Sequence, residues 1–119
     1  MAKKEETTPQ IIKVKVLAAA LLDIEQIADY IAVINQQPLN AIYVAESIWQ
    51  TIEKIGVNPL SFKECIQIPT KRKIYRQAIC LSWLIIYKVT TTEILILAII
   101  HGSRKPSKIK SLVKKNLSR

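Results

Sequence analysis

IYRQAICLSWLIIYKVTTTEILILAIIHGSR, residues 74–104, is the stretch whose reading decides the fold. Ser82–Val89 and Glu93–Ile100 each have strand length and are dominated by isoleucine, leucine, valine and aromatic residues. Branched and bulky side chains of this kind favour an extended, pleated backbone. Thr90, Thr91 and Thr92 join the two runs, Ile74–Ile79 precedes them as a further strand, and His101–Gly102–Ser103–Arg104–Lys105–Pro106 closes the series. A membrane helix would need about 20 predominantly apolar residues in succession. Lys88, the three threonines and Glu93 interrupt Ile79–Ile100 too often for that. Adjacent strands are therefore predicted.

Within Ser82–Val89, residues Trp83, Ile85, Tyr87 and Val89 share one face, and Ser82, Leu84, Ile86 and Lys88 share the other. The Trp83 face carries the larger apolar load and is expected beneath a helical layer. Leu84 and Ile86 would then meet water unless the tail or a partner covers them. Glu93–Ile100 is apolar on both faces, which predicts a central strand.

Upstream, Ile11–Leu17 reads as a first strand, with Ile12, Val14 and Val16 on one face and Lys13 and Lys15 on the other. From about Ala19 the period becomes helical, with Ile24, Ile27, Ala28, Ile31 and Ile34 as the buried stripe. Asn35–Gln36–Gln37–Pro38 breaks that helix. A second begins near Pro38, with Ala41, Ala45, Ile48, Ile52 and Ile55 facing inward and Gly56 as its C-cap. The short connection predicts an αα-hairpin laid across a sheet, an α+β architecture. Pro59–Pro69 reads as a loop anchored by Phe62. Residues 1–9 read as a flexible lead-in, 10–106 as one domain, and 107–119 as a basic tail that is helical in part.

With 119 residues, half of them apolar, the chain can bury one substantial core without a metal or disulfides. Cys65 and Cys80 lack metal-ligand spacing and read as reduced, buried thiols. With His101 the chain's one histidine, no zinc ligand set assembles, and no cofactor is expected. The opening Met1–Ala–Lys–Lys–Glu–Glu is too charged for an export signal, which favours a cytoplasmic protein. Charge is segregated. Residues 1–62 hold 5 Lys/Arg against 7 Asp/Glu, whereas residues 63–119 hold 13 against 2, so the net charge of +9 comes from the second half. Such a field attracts an anionic partner, a nucleic acid or an acidic protein.

No carboxylate pair, glycine-rich phosphate loop or serine-nucleophile motif is present. The remaining candidates are basic. Arg76 and Arg104 could each fork onto a phosphate, and His101 could transfer a proton, so these three are the catalytic candidates if the protein cleaves RNA. Lys71, Arg72, Lys73 and Lys105 are expected to attract a nucleic acid or protein target by charge. Leu84, Ile86 and Lys88 form the expected seat for a protein partner.

Three segments carry a family resemblance: Leu22–Asp–Ile–Glu–Gln–Ile–Ala–Asp–Tyr–Ile31, Trp83–Leu–Ile–Ile–Tyr–Lys–Val89, and Ile94–Leu–Ile–Leu–Ala–Ile–Ile–His–Gly–Ser–Arg–Lys–Pro106. In this order and spacing the chain resembles the RelE/ParE superfamily of type II toxin–antitoxin systems. The resemblance implies a β-α-α-β-β-β fold, a curved and largely antiparallel sheet with a helical hairpin on one face. It also implies a heteromeric complex with a cognate antitoxin that covers the working surface. RelE-like members cut mRNA on the ribosome with basic residues and no metal. Arg104 falls where one such arginine follows the last strand, but Leu84 replaces the middle-strand arginine and no tyrosine occurs from Ser107 onward. ParE-like members, associated with plasmid stabilisation, act on DNA gyrase. The first helix and His101–Gly102–Ser103–Arg104 look closer to that branch. The expectation is a ParE-like gyrase toxin, with an mRNA interferase, a non-toxic nucleic-acid-binding module or a degenerate toxin as alternatives.

Overall fold

A computed structural model describes residues 13–103 and Ser111. Ile11, Ile12, Arg104, Lys105 and most of the expected basic tail lie outside the described residues. Strand β1 (Lys13–Val16) leads into helix α1 (Ala18–Asp29), which continues as a wider π-helical turn over Tyr30–Ile34. Helix α2 (Pro38–Val57) returns antiparallel to it. A 3-10 turn at Pro59–Ser61 follows, then β2 (Lys63–Glu64), β3 (Tyr75–Cys80), β4 (Trp83–Val89) and β5 (Glu93–His101). The five strands form one sheet in the order β1-β5-β4-β3-β2; β1 runs parallel to β5 and the other neighbours are antiparallel. The predicted α+β architecture and helical hairpin are observed, with β5 an interior strand between β1 and β4. The added element is β2, a two-residue edge strand inside the segment expected to be loop.

The hairpin packs on one face of the sheet. Ile24, Ile27 and Ile31 from the first helix and Ile48, Ile52 and Ile55 from the second meet Ile85, Tyr87, Ile94 and Ile96. Each fully buried isoleucine stabilises the fold by on the order of 1.5–3 kcal/mol relative to exposure, so this layer dominates the stability. Three details of the helical stripe differ from expectation. Ile34 is exposed, because the π-helical turn adds a residue per turn and rotates it off the inner face. Val44 rather than Ala45 is fully buried on α2. Gly56 is not a cap: it lies within α2, and a Cβ there would sit 2.9 Å from Val14 Cγ2. Its missing side chain lets the helix approach β1 closely, and Asn58 occupies the C-cap position instead.

The other face of the sheet has its own core. Cys65, Ile86, Leu97, Ala98 and Ile100 are buried there, with Leu17, Ile68, Tyr75, Leu84 and Leu95 packed around them. Ile86 was expected to face water in the absence of a covering partner; it is fully buried in this second cluster, while Leu84 is half-buried. A β-bulge explains how β5 serves both layers. Ile86 pairs with Ala98 and Tyr87 with Ile96, leaving Leu97 as the extra residue. Ile94 and Ile96 face the helices, Leu97 and Ala98 both join the second cluster, and Ile99 returns to the helical side.

Candidate functional site

The basic segment between β2 and β3 is a pinned turn. Thr70 organises it: its hydroxyl accepts from the Ile74 amide at 3.0 Å, its carbonyl accepts from Lys73 N–H at 3.1 Å, and its own amide donates to Glu64 Oε2 at 3.4 Å. Lys73 has a φ of 54°, and Lys71, Arg72 and Lys73 are all exposed. The β4–β5 turn is fixed in a similar way by Thr90, whose Oγ1 accepts from Glu93 N–H at 2.9 Å. The two turns are adjacent, because Val89 N–H donates to the Ile74 carbonyl at 2.8 Å. Arg72, Ile74, Lys88, Val89, Thr90 and Thr91 line an open cleft of about 420 Å³ between them. Lys88 Nζ lies over the Tyr75 ring, 5.8 Å from its centroid.

Arg76 belongs to a different surface. It is paired with Tyr87 and so points to the helical side of the sheet. Its Nη1 donates to the Phe62 carbonyl at 2.8 Å and the Leu60 carbonyl at 3.2 Å, and its Nε donates to the Lys73 carbonyl at 3.2 Å. The guanidinium thereby joins the 3-10 turn and its C-cap to the basic turn. Tyr87 reinforces this connection: its hydroxyl donates to the Pro59 carbonyl at 2.6 Å and Phe62 packs edge-on against its ring. Burial pushes the Tyr87 phenol up to about 12, an effect the nearby Arg76 charge partly opposes. The folded value lies above the ordinary 10, so this contribution is intact below pH 10 and is lost as pH rises from 10 towards 12, where the unfolded chain releases the proton first. Tyr87→Phe is expected to flatten that alkaline loss in urea titrations between pH 9 and 12. At neutral pH it should cost about 1 kcal/mol for the missing hydrogen bond.

His101 ends β5 on the helical side. Its ring meets Trp83 edge-to-face at 5.1 Å between centroids. Ser103 N–H donates to Nδ1 at 3.2 Å, and Ser103 Oγ lies 2.8 Å from the same nitrogen. With Nδ1 accepting, the neutral ring carries its proton on Nε2. A cleft of about 200 Å³ beside it is lined by Asp23, Gln26, Tyr30 and Trp83 among others. His101 pairs with Trp83, whereas Arg76 pairs with Tyr87, four residues further along β4. They lie roughly 13 Å apart along the strand direction, on strands either side of β4. The structure does not bring these two catalytic candidates together.

Among the described cations, Arg72 and Lys88 do share a cleft, beside Lys71 and Lys73. Both cysteines are free and buried; burial also raises the Cys65 thiol, which donates to Gln67 Oε1 at 3.3 Å. A cleft of about 690 Å³ between the end of α2 and Phe62 holds none of the residues singled out from the sequence as catalytic or target-binding. One structural group was missed by pattern reading. Asp23, placed among the polar residues of α1, accepts from Ile99 N–H at 2.9 Å, 76 residues away.

No curated protein matches the chain. A solved structure described as the chromosomal ParDE TA system from P. aeruginosa superposes with a TM-score of 0.60, covering 76% of this chain and 96% of that one. At 19% identity the likeness concerns the fold. The family described as ParE toxin of type II toxin-antitoxin system, parDE, matches residues 14–106, most of the sequence and every strand and helix of the sheet-and-hairpin layer except the first residue of β1. The chain belongs to the ParE toxin family of type II toxin–antitoxin systems.

Proposed function

We propose that this protein arrests growth by acting on DNA gyrase in the cytoplasm and is held inactive in a complex with a cognate antitoxin. Family membership supports a toxin of this branch, and one structural observation favours gyrase over RNA cleavage. Arg76 is occupied by three backbone carbonyls and lies far along the sheet from His101. A phosphoryl-transfer site needs its basic and proton-transferring groups around one reacting phosphate. Leu84 and Lys88 offer the antitoxin a half-exposed contact, with Ile86 as the buried floor beneath them rather than a contact itself. No helix among the described residues is long and apolar enough to cross a membrane.

The direct test is a supercoiling assay with purified gyrase beside a translation assay, each with and without the product of a neighbouring short reading frame. Supercoiling should stop at toxin concentrations that leave translation intact, and the neighbour's product should restore it. Ribosome-dependent cutting of mRNA with normal supercoiling would replace this reading with the RelE-like one.

A further inference from the structure

The face of the sheet turned away from the helices carries a row of cations that runs across strands. Val14 and Val16 face the helical core, so Lys13 and Lys15 point the other way. Lys15 is in register with Leu95, Leu95 with Lys88, and Lys88 with Tyr75. Leu95 and Tyr75 both border the second core, which places the whole row on one face. Neighbouring strands are about 4.8 Å apart, so the backbones at Lys15 and Lys88 are separated by about 10 Å. Arg72 extends the row from the adjoining turn, with Thr90 and Thr91 lining the cleft between it and Lys88. Two carboxylates lie near the row: Glu93, on the same face and in register with Lys13, and Glu64, which accepts from the Thr70 amide.

The opposite layer has the reverse sign. From Ala18 to Val57 the charged residues are Asp23, Glu25, Asp29, Glu46 and Glu53 against Lys54. Among the described residues the two layers thus differ in sign, and a polyanion is steered to the sheet side. The row also lacks a free aromatic surface, since Tyr75 is half-buried beneath Lys88 while Trp83 and Tyr87 face the helices. Single strands gain much of their binding from bases stacked on such surfaces. A row of cations without them suits the paired, already stacked bases and outward phosphates of a duplex.

We propose that Lys15, Lys88 and Arg72 form a binding track for the phosphodiester backbone of duplex DNA. The contact is independent of sequence and is a property of the protein alone, so it stands or falls separately from gyrase as the target.

Fluorescence anisotropy of the full chain with a labelled 20-base-pair duplex, across a series of KCl concentrations, tests it. Each phosphate contact contributes about 0.9 to the slope of log affinity against log salt. Neutralising Lys15, Lys88 and Arg72 to glutamine should therefore reduce the slope by about 2.7, whereas neutralising Lys108, Lys110 and Lys114 should change it much less. K15Q alone, on the exposed edge strand, should reduce it by about 0.9 and provides a second reading if the triple variant folds poorly by circular dichroism. Three results would each overturn the track: parental binding by a folded row variant, equal losses from either set of three lysine or arginine changes, or tighter binding of the matching single strand. Displacement of the duplex by polyglutamate of equal charge would instead assign the face to an acidic polypeptide.

Discussion

Asp23→Ala is expected to lower the unfolding free energy by about 2–3 kcal/mol, the range for losing a charged acceptor and stranding its buried donor. The cause lies in the unequal lengths of β1 and β5. Strand β1 ends at Val16, paired with Ile96, while β5 continues to His101. Beyond that point, among the described residues, β5 has no strand on its β1 side. The Ile99 amide would be left without a ladder partner in a residue that is 3% exposed, and Asp23 reaches from α1 to accept its hydrogen bond. The carboxylate thus completes the sheet edge and ties the first helix to β5. Thermal melts should fall by about 10 °C or more for a domain of this size. Asp23→Asn, whose amide oxygen can accept the same bond, should recover part of the loss. An alanine variant melting within a degree or two of the parent would show that the Ile99 amide finds another partner at no cost.

Arg76→Ala should be comparably damaging, by about 2–3 kcal/mol, for a related reason. One guanidinium holds the Leu60 and Phe62 carbonyls at the 3-10 turn together with the Lys73 carbonyl of the basic turn. Removing it frees the connection between α2 and β3 and leaves the Phe62 carbonyl, the shortest of the three contacts, without this donor. Arg76→Lys should rescue little, because an ammonium cannot reproduce the planar fork that reaches carbonyls on two sides. Growth arrest, normalised to folded protein, should be retained in both variants. The informative contrast is therefore between melting temperature and toxicity per folded molecule. An Arg76→Ala protein with parental stability and no toxicity would return this residue to the catalytic candidates.

These two positions also mark where local pattern ran out. Asp23 was legible as a polar residue on an amphipathic helix, but its partner lies 76 residues away and depends on where β1 stops. Arg76 was legible as a cation entering a strand; its face was set only by pairing with Tyr87. Lys71, Arg72 and Lys73, read from the sequence as a basic approach to a strand, lie exposed on a turn, because a short polar turn is governed by nearby residues. Their association with Lys88, and the alignment of Lys88 with Lys15 across Leu95, required strand order and register.

The sequence by itself determined the helical hairpin, the long strands, the helix-facing side of β4 and the accumulation of positive charge in the second half. Each is encoded in side-chain period and composition over a few consecutive residues. Tertiary structure alone decided that Leu97 bulges, that Ile86 is enclosed in a second core, that Gly56 yields space to Val14, and that Arg76 and His101 stand apart. Those outcomes come from contacts between segments distant in the chain, where strand ends, register and packed volume select among alternatives that local periodicity leaves equal.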